Sequence, residues 1–262
     1  MDSSAYLRLG LTIGLLSLLL ALERGWPRRT DAPQRRLRWT ANLALVLIAS
    51  LLARLLLGAG AVGAALWAQR EGWGLFAQIQ APAWVEFIAA LLLLDLLIYV
   101  QHRLTHHVPL LWRLHRVHHS DTVLDATTAL RFHPVEILLS LGLKIGAVLL
   151  LGPAPLAILV FEVLLNATAL FNHANLRLPH RLDRLLRHLV VTPDMHRVHH
   201  SVHAEETNSN YGFNLPWWDR LFGSYRDQPR DGHAQMRIGL QAFRSPDDQT
   251  PTALLRQPLR QP

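Results

Sequence analysis

Trp112-Arg-Leu-His115-Arg-Val-His118-His119-Ser120 and Met195-His196-Arg-Val-His199-His200-Ser201 carry the same His-x-x-His-His triplet, 81 positions apart. Residues at i, i+3 and i+4 share one face of a helix. The spacing therefore predicts a helix at each copy, with its three imidazoles turned toward a single point. Three converging imidazoles make a metal half-site. With 15 histidines in 262 residues, the triplet is expected by chance about 0.05 times in this length. A histidine-rich metal-storage tract would be a low-complexity run, whereas both copies are spaced for helices.

The composition around the triplets is that of a membrane protein. Half of the residues are apolar and 17% are charged, against about a quarter charged in soluble domains. Cysteine is absent, which excludes disulfides, thiolate metal sites, iron–sulfur clusters and cysteine nucleophiles. Any metal must sit on nitrogen or oxygen. The net charge of +7 comes almost wholly from arginine, Lys144 being the only lysine. Arginines beside apolar segments report topology and anionic headgroups. No basic stripe with interleaved aromatics suggests nucleic acid as a partner.

Leu9 to Leu22 reads as a retained first span: Asp2 and Arg8 precede it and no small-x-small cleavage site follows. Arg28, Arg29, Arg35, Arg36 and Arg38 then place the next connection in the cytoplasm. A second apolar stretch runs from Trp39 to about Gln69, and a third from Ala83 to about Gln101. Two arms near fifteen residues each, joined by Gly152-Pro153-Ala154-Pro155, read as a short helical hairpin whose ends emerge on one side of the membrane. The expected fold is all-α: an integral-membrane helical bundle of about three spans plus the hairpin, with a cytoplasmic histidine-rich helical cap. By parity, both triplets lie on the same face. Leu182, Leu185, Leu186, Leu189 and Val190, opposite Arg181, Arg184 and Arg187, predict an interfacial helix. Residues 1–230 form the membrane domain, and 231–262 are expected to be a polar, loosely ordered cytoplasmic tail. A bacterial inner (cytoplasmic) membrane is the expected location.

Further imidazoles join the triplets. His102 and His106 stand at i and i+4 at the end of the third span, and His173 follows the hairpin. Nine clustered imidazoles exceed what one ion accepts, so the site is expected to be dinuclear. His107 is rotated away from His106. His180, His188, His203 and His233 read as surface groups, and His133 lies between the two readings. Carboxylates inside a membrane usually face a functional interior. Asp95, with Tyr99 on the His102 face, and Glu162, with Asn166 on the His173 face, are candidates either to orient ligand imidazoles or to form structural hydrogen bonds.

These residues resemble the fatty acid hydroxylase (sterol desaturase) superfamily. His102-Arg-Leu-Thr-His106, the first triplet, Arg131-Phe-His133-Pro-Val-Glu136, and Thr192-Pro-Asp-Met-His196 with the second triplet are similar to its histidine boxes. Asn210-Tyr211-Gly212 with Trp218-Asp219-Arg220-Leu221-Phe222-Gly223 is similar to its closing segment. The likeness covers residues 83 to 226. It implies a membrane di-iron enzyme that uses O2 and external electrons to attack a C–H bond of a lipid, by hydroxylation or desaturation. It also implies His102, His106, His115, His118, His119, His173, His196, His199 and His200 as ligands, with His133, or in reserve His180, as a tenth. Zinc can take the same nitrogens in a purified sample. No Rossmann fingerprint is present, so electrons are expected from a separate ferredoxin- or cytochrome b5-like protein. Sterol, fatty acyl, carotenoid and ether lipids all remain open as substrates. A membrane zinc hydrolase is the alternative, but neither triplet contains the glutamate of His-Glu-x-x-His. A metal transporter would need ligands along a crossing path, and these stand at span ends.

Overall fold

The computed structural model describes residues 3–31 and 33–261; Asp2 lies outside them. Among the described residues the chain is helical, with two isolated bridges, Pro27 to Leu176 and Ser201 to Ile238. The elements that build the site are α1 Ser3–Gly25, α2 Arg35–Leu57, α3 Gly60–Glu71, α4 Leu75–Ile79, α5 Ala83–His107, α6 Pro109–His119, α7 Pro134–Leu151, α8 Pro155–His173, α9 His180–Leu186 and α10 Pro193–His199. Proline at the first helical turn opens α6, α7, α8 and α10, where its fixed φ is pre-organised and its missing N–H costs nothing. Thr192 caps α10, its hydroxyl accepting from the Met195 N–H. The second histidine helix is thus started by Thr192-Pro193 itself.

Among the described residues, five helical segments are long and apolar enough to cross a membrane: Tyr6–Gly25, Arg35–Ile79, Ala83–His107, Pro134–Leu151 and Pro155–His173. The second is interrupted at Gly58 and Gly60, both at positive φ, a conformation glycine takes without steric cost. The predicted hairpin arms are longer than fifteen residues. α7 has 18 and α8 has 19, about 27 to 29 Å at 1.5 Å per residue. They also do not form a tight pair. α7 packs chiefly against α2 and α3, and α8 chiefly against α1 and the turn at Ala126–Leu130, while α3 and α5 touch both arms. Ala61, Val62 and Ala65 of α3 and Leu94 and Ile98 of α5 meet Val148 of α7 and Ile158 and Phe161 of α8 in one buried cluster. Both triplets nonetheless lie at one end of the bundle, because the start of α7 and the end of α8 meet at the histidines.

Two expectations fail for a common reason, the hydrogen-bonding of buried polar groups. Arg38, read as a topology marker, is fully buried. Its guanidinium forks onto Asp121, bonds Asp125 Oδ2 at 2.9 Å, and donates to the Val123 carbonyl at 2.7 Å. Burial pushes the Asp121 carboxyl up, but Arg38 and Arg131 outweigh it and hold it at about 2. Nor is the chain after Tyr225 loosely ordered. Gln249 accepts from Arg131 at 2.7 Å, and the Gln257 carbonyl accepts from Arg116 at 2.6 Å. Leu254 packs with Ala41, Leu45 and Val117. This segment therefore braces the back of α6.

Candidate metal centre

Nine imidazoles converge at one end of the bundle, in two groups. His102, His106, His115, His119 and His199 form the first; His118, His173, His196 and His200 form the second. Within each group, one ring nitrogen per residue lies within 4.8 Å of all the others. α5 and α8 bring His102, His106 and His173 up from the bundle, while α6 and α10 lie across their ends.

The two triplets do not each point at one site. His115 and His119, at i and i+4, enter the first group, while His118 crosses to the second. His196 and His200 enter the second, and His199 crosses to the first. A step of three residues falls short of one 3.6-residue turn and a step of four passes it, so the middle histidine of each triplet is turned toward the neighbouring group. The groups adjoin, the His119 and His200 rings stacking at 4.5 Å between centroids.

The hydrogen bonds fix the protons on four rings. His102 Nδ1 donates to the Tyr211 carbonyl at 2.7 Å, His173 Nδ1 to the Ala169 carbonyl at 2.7 Å, and His199 Nδ1 to the Ser209 carbonyl at 2.7 Å. His115 Nδ1 donates to Glu136 Oε1 at 2.6 Å. A carbonyl or an ionised carboxylate only accepts, so in the neutral rings each Nε2 is left as a bare lone pair. His102 Nε2 and His115 Nε2 nevertheless face each other at 3.1 Å. Between neutral rings neither can donate to the other, and a cation shared between them reconciles the contact. In the second group, Nε2 of His173 lies 3.0 Å from that of His118 and 3.1 Å from that of His196. Buried ring nitrogens of His106, His118, His119, His196, His199 and His200 have no hydrogen-bond partner. Burial and mutual repulsion hold His118, His119, His196 and His200 well below the usual imidazole range, and burial takes His199 to about 3. Neutral rings with open lone pairs are the state that metal binding requires. The donor set therefore fits two ions held by nitrogen alone.

The other predicted site residues stand elsewhere. His133 caps α7, its Nδ1 accepting from the Val135 N–H while Nε2 meets the Leu255 carbonyl at 3.2 Å, and it enters neither group. His107 and His180 are exposed, although His107 meets the Tyr211 hydroxyl at 3.2 Å. Asp95 accepts from Trp218 Nε1 at 2.8 Å and from the Leu215 N–H, so it anchors the closing segment. Tyr99 bonds Ser224 at 2.8 Å and stacks on Phe222. Glu162 pairs with Lys144 and Arg8. None of these orients a ring of the cluster. Asn166 lines the cavity described next.

Sequence reasoning gave no role to Glu136, although it closes the Arg131-to-Glu136 motif. The signal was available: a carboxylate at the mouth of a span, in a box that contains histidine, is a natural acceptor for a ligand imidazole. Glu136→Gln should lower metal affinity or turnover by about 10- to 100-fold, the usual cost of losing such a partner. Titration of the purified variant with metal checks this, and wild-type affinity would reduce the contact to packing.

Beneath the first group lies a cavity of about 290 Å3, walled largely by apolar side chains. His102, His115 and Glu136 form its roof, and Ile98, Phe132 and Phe213 are among its walls. Glu136 Oε2 is buried without a partner.

Comparison with known proteins agrees with the geometry. Ornithine lipid hydroxylase from Rhizobium tropici is 34% identical over 161 residues, covering 61% of this chain and 47% of the relative. Alkylglycerol monooxygenase from Danio rerio is 27% identical, covering 81% and 46%. Human cholesterol 25-hydroxylase is 33% identical, covering 54% and 51%. The chain spans about half the length of the curated relatives it matches. No solved structure gives a significant match. The family model for fatty acid hydroxylase matches residues 87–224, more than half of the chain and the whole stretch from the third span to the closing segment: the chain belongs to the fatty acid hydroxylase family.

Proposed function

We propose that this protein hydroxylates a C–H bond of a membrane lipid, using two iron ions, O2 and electrons from a separate carrier. One observation carries the reading: facing imidazole lone pairs roof an apolar cavity set among helices fit to span a membrane. When bound, the irons supply the O2 activation and one-electron chemistry that breaking an unactivated C–H bond requires.

The chain's own residues do the rest. His102, His106, His115, His119 and His199 would hold one ion, and His118, His173, His196 and His200 the other. Carbonyls and Glu136 fix ring orientation through the opposite nitrogen, and so raise ligand basicity. Ile98, Phe132 and Phe213 exclude water from the reacting carbon. Glu136 Oε2, the unpartnered acceptor in the cavity roof, is placed to receive the hydroxyl group of the product. Asp95 and Asp219 tie down the closing segment, whose Tyr211 carbonyl holds His102.

The relatives named above carry lipid substrates in their names, which supports a lipid here. Arg24, Arg35, Arg36, Arg177, Arg181 and Arg184 are exposed. They lie on connections at the histidine end, where they favour the cytoplasmic leaflet and an acidic electron carrier. α9 keeps Leu182 and Leu185 exposed beside its arginines, as an interfacial helix does. Comparison of lipids from membranes with and without the protein tests the function. A lipid gaining the mass of one oxygen, labelled from 18O2, is expected; an unchanged lipid profile under aerobic growth would refute it.

A further inference from the structure

A groove of about 410 Å3 lies between α1 and α8, beside the histidine cavity. It follows α1 from Arg8 to Leu18, about 15 Å at 1.5 Å per residue. Two contacts frame it. At one end Arg8 pairs with Glu162, which also accepts from Lys144. At the other, Leu15, Leu16 and Leu19 pack with Leu170 and Phe171. Between them stand Gly10 and Gly14, and a Cβ added at either would meet nothing within 4 Å. Two missing side chains thus leave a gap between two fixed contacts. α1 is also the least buried of the five long apolar segments, so the gap opens to the hydrocarbon.

Asn166 lines both this groove and the cavity beneath the histidines. It is exposed, and its side chain makes no hydrogen bond among the described residues. An amide facing hydrocarbon without a partner is costly, and a polar group carried by a ligand satisfies it. Asn166 stands seven residues before His173 on α8, about 10 Å along the axis. It therefore sits on the path from the bilayer to the metal centre.

We propose that the lipid substrate reaches the metal centre sideways from the bilayer through the α1–α8 groove, and that Asn166, at the junction with the cavity, hydrogen-bonds an ester, amide or hydroxyl group of that lipid. This rests on the lipid-oxidising reading above. The occupant is an aliphatic chain, matched to walls such as Leu11, Leu15 and Val163, attached to a neutral hydrogen-bonding group.

Photo-crosslinking of the iron-loaded protein in nanodiscs tests it, with an ester-linked lipid whose acyl chain carries a diazirine. In the wild type, adducts are expected on α1 between Gly10 and Leu18 and on the cavity residues Ile137 to Ser140. Gly14→Leu should abolish the cavity adducts while bound iron stays unchanged. Gly142→Leu, at an exposed glycine equally free of neighbours, should change neither. If Gly14→Leu fails to retain iron, Gly10→Leu takes its place. Asn166→Leu should lower cavity adducts from the ester-linked probe about three- to tenfold, the worth of one neutral hydrogen bond, and leave those from a diazirine hydrocarbon unchanged. Undiminished cavity adducts in the glycine variants would overturn the portal, the lipid then arriving by another seam such as that at Ser50, with the lipid reading intact. Absence of cavity adducts even in the wild type would remove the lipid reading and the portal with it.

Discussion

His118→Ala and His119→Ala, substitutions at adjacent residues, are expected to damage different metal ions. His118 stands with His173, His196 and His200, whereas His119 stands with His102, His106, His115 and His199. Either variant should cut turnover by more than the 10- to 100-fold typical of an outer-shell partner, since on the proposed assignment each removes a ligand outright. Membrane insertion should be unaffected, because both side chains lie beyond the apolar segments. Mössbauer spectra of 57Fe-loaded protein would separate the two. Each variant should perturb one iron environment and leave the other close to wild type, and His199→Ala should resemble His119→Ala rather than its own neighbours in sequence. Identical spectra from all three, or retained turnover in any, would refute the crossed assignment.

The second large effect concerns Arg38. Its guanidinium is shared by Asp121 and Asp125, and Asp121 follows the first triplet by two residues. Arg38→Ala removes the cation that both buried carboxylates bond directly, leaving only the nearby charge of Arg131, and breaking a buried pair in this way costs about 3 to 5 kcal/mol. Much of a domain's net stability is of that order. Loss of folded protein, or a large fall in the apparent melting temperature in detergent, is therefore expected. Arg38→Lys should be only partly corrective, because an ammonium cannot reproduce the fork. A melting temperature unchanged by Arg38→Ala would return this residue to the role of a topology signal.

The residues that were legible in the sequence and those that were not differ in kind. Apolar spans and the nine histidines are local signals, and the structure gathers all nine. The division of each triplet between two groups was not legible, because i, i+3 and i+4 define a face, and a face is wide enough to serve two neighbouring points. Asp95 and Glu162 show the same limit. Spacing assigned each to a helix face shared with histidines, yet Trp218, Leu215, Lys144 and Arg8 are nearer partners contributed by other segments. The chain after Tyr225 was misread because Gln249 and Gln257 are buried through hydrogen bonds, which leave no hydrophobic period. Asn166 was placed beside His173 by spacing, and the groove that meets the cavity at it is built with α1, a helix far away in sequence.

Metal analysis of protein purified without oxygen, paired with O2 uptake on reduction, tests the central claim most directly. The account predicts two iron ions per chain, nitrogen-coordinated without sulfur, and O2 consumption once reduced. Stoichiometric zinc in cells with no iron bound, and no O2 uptake, would contradict it.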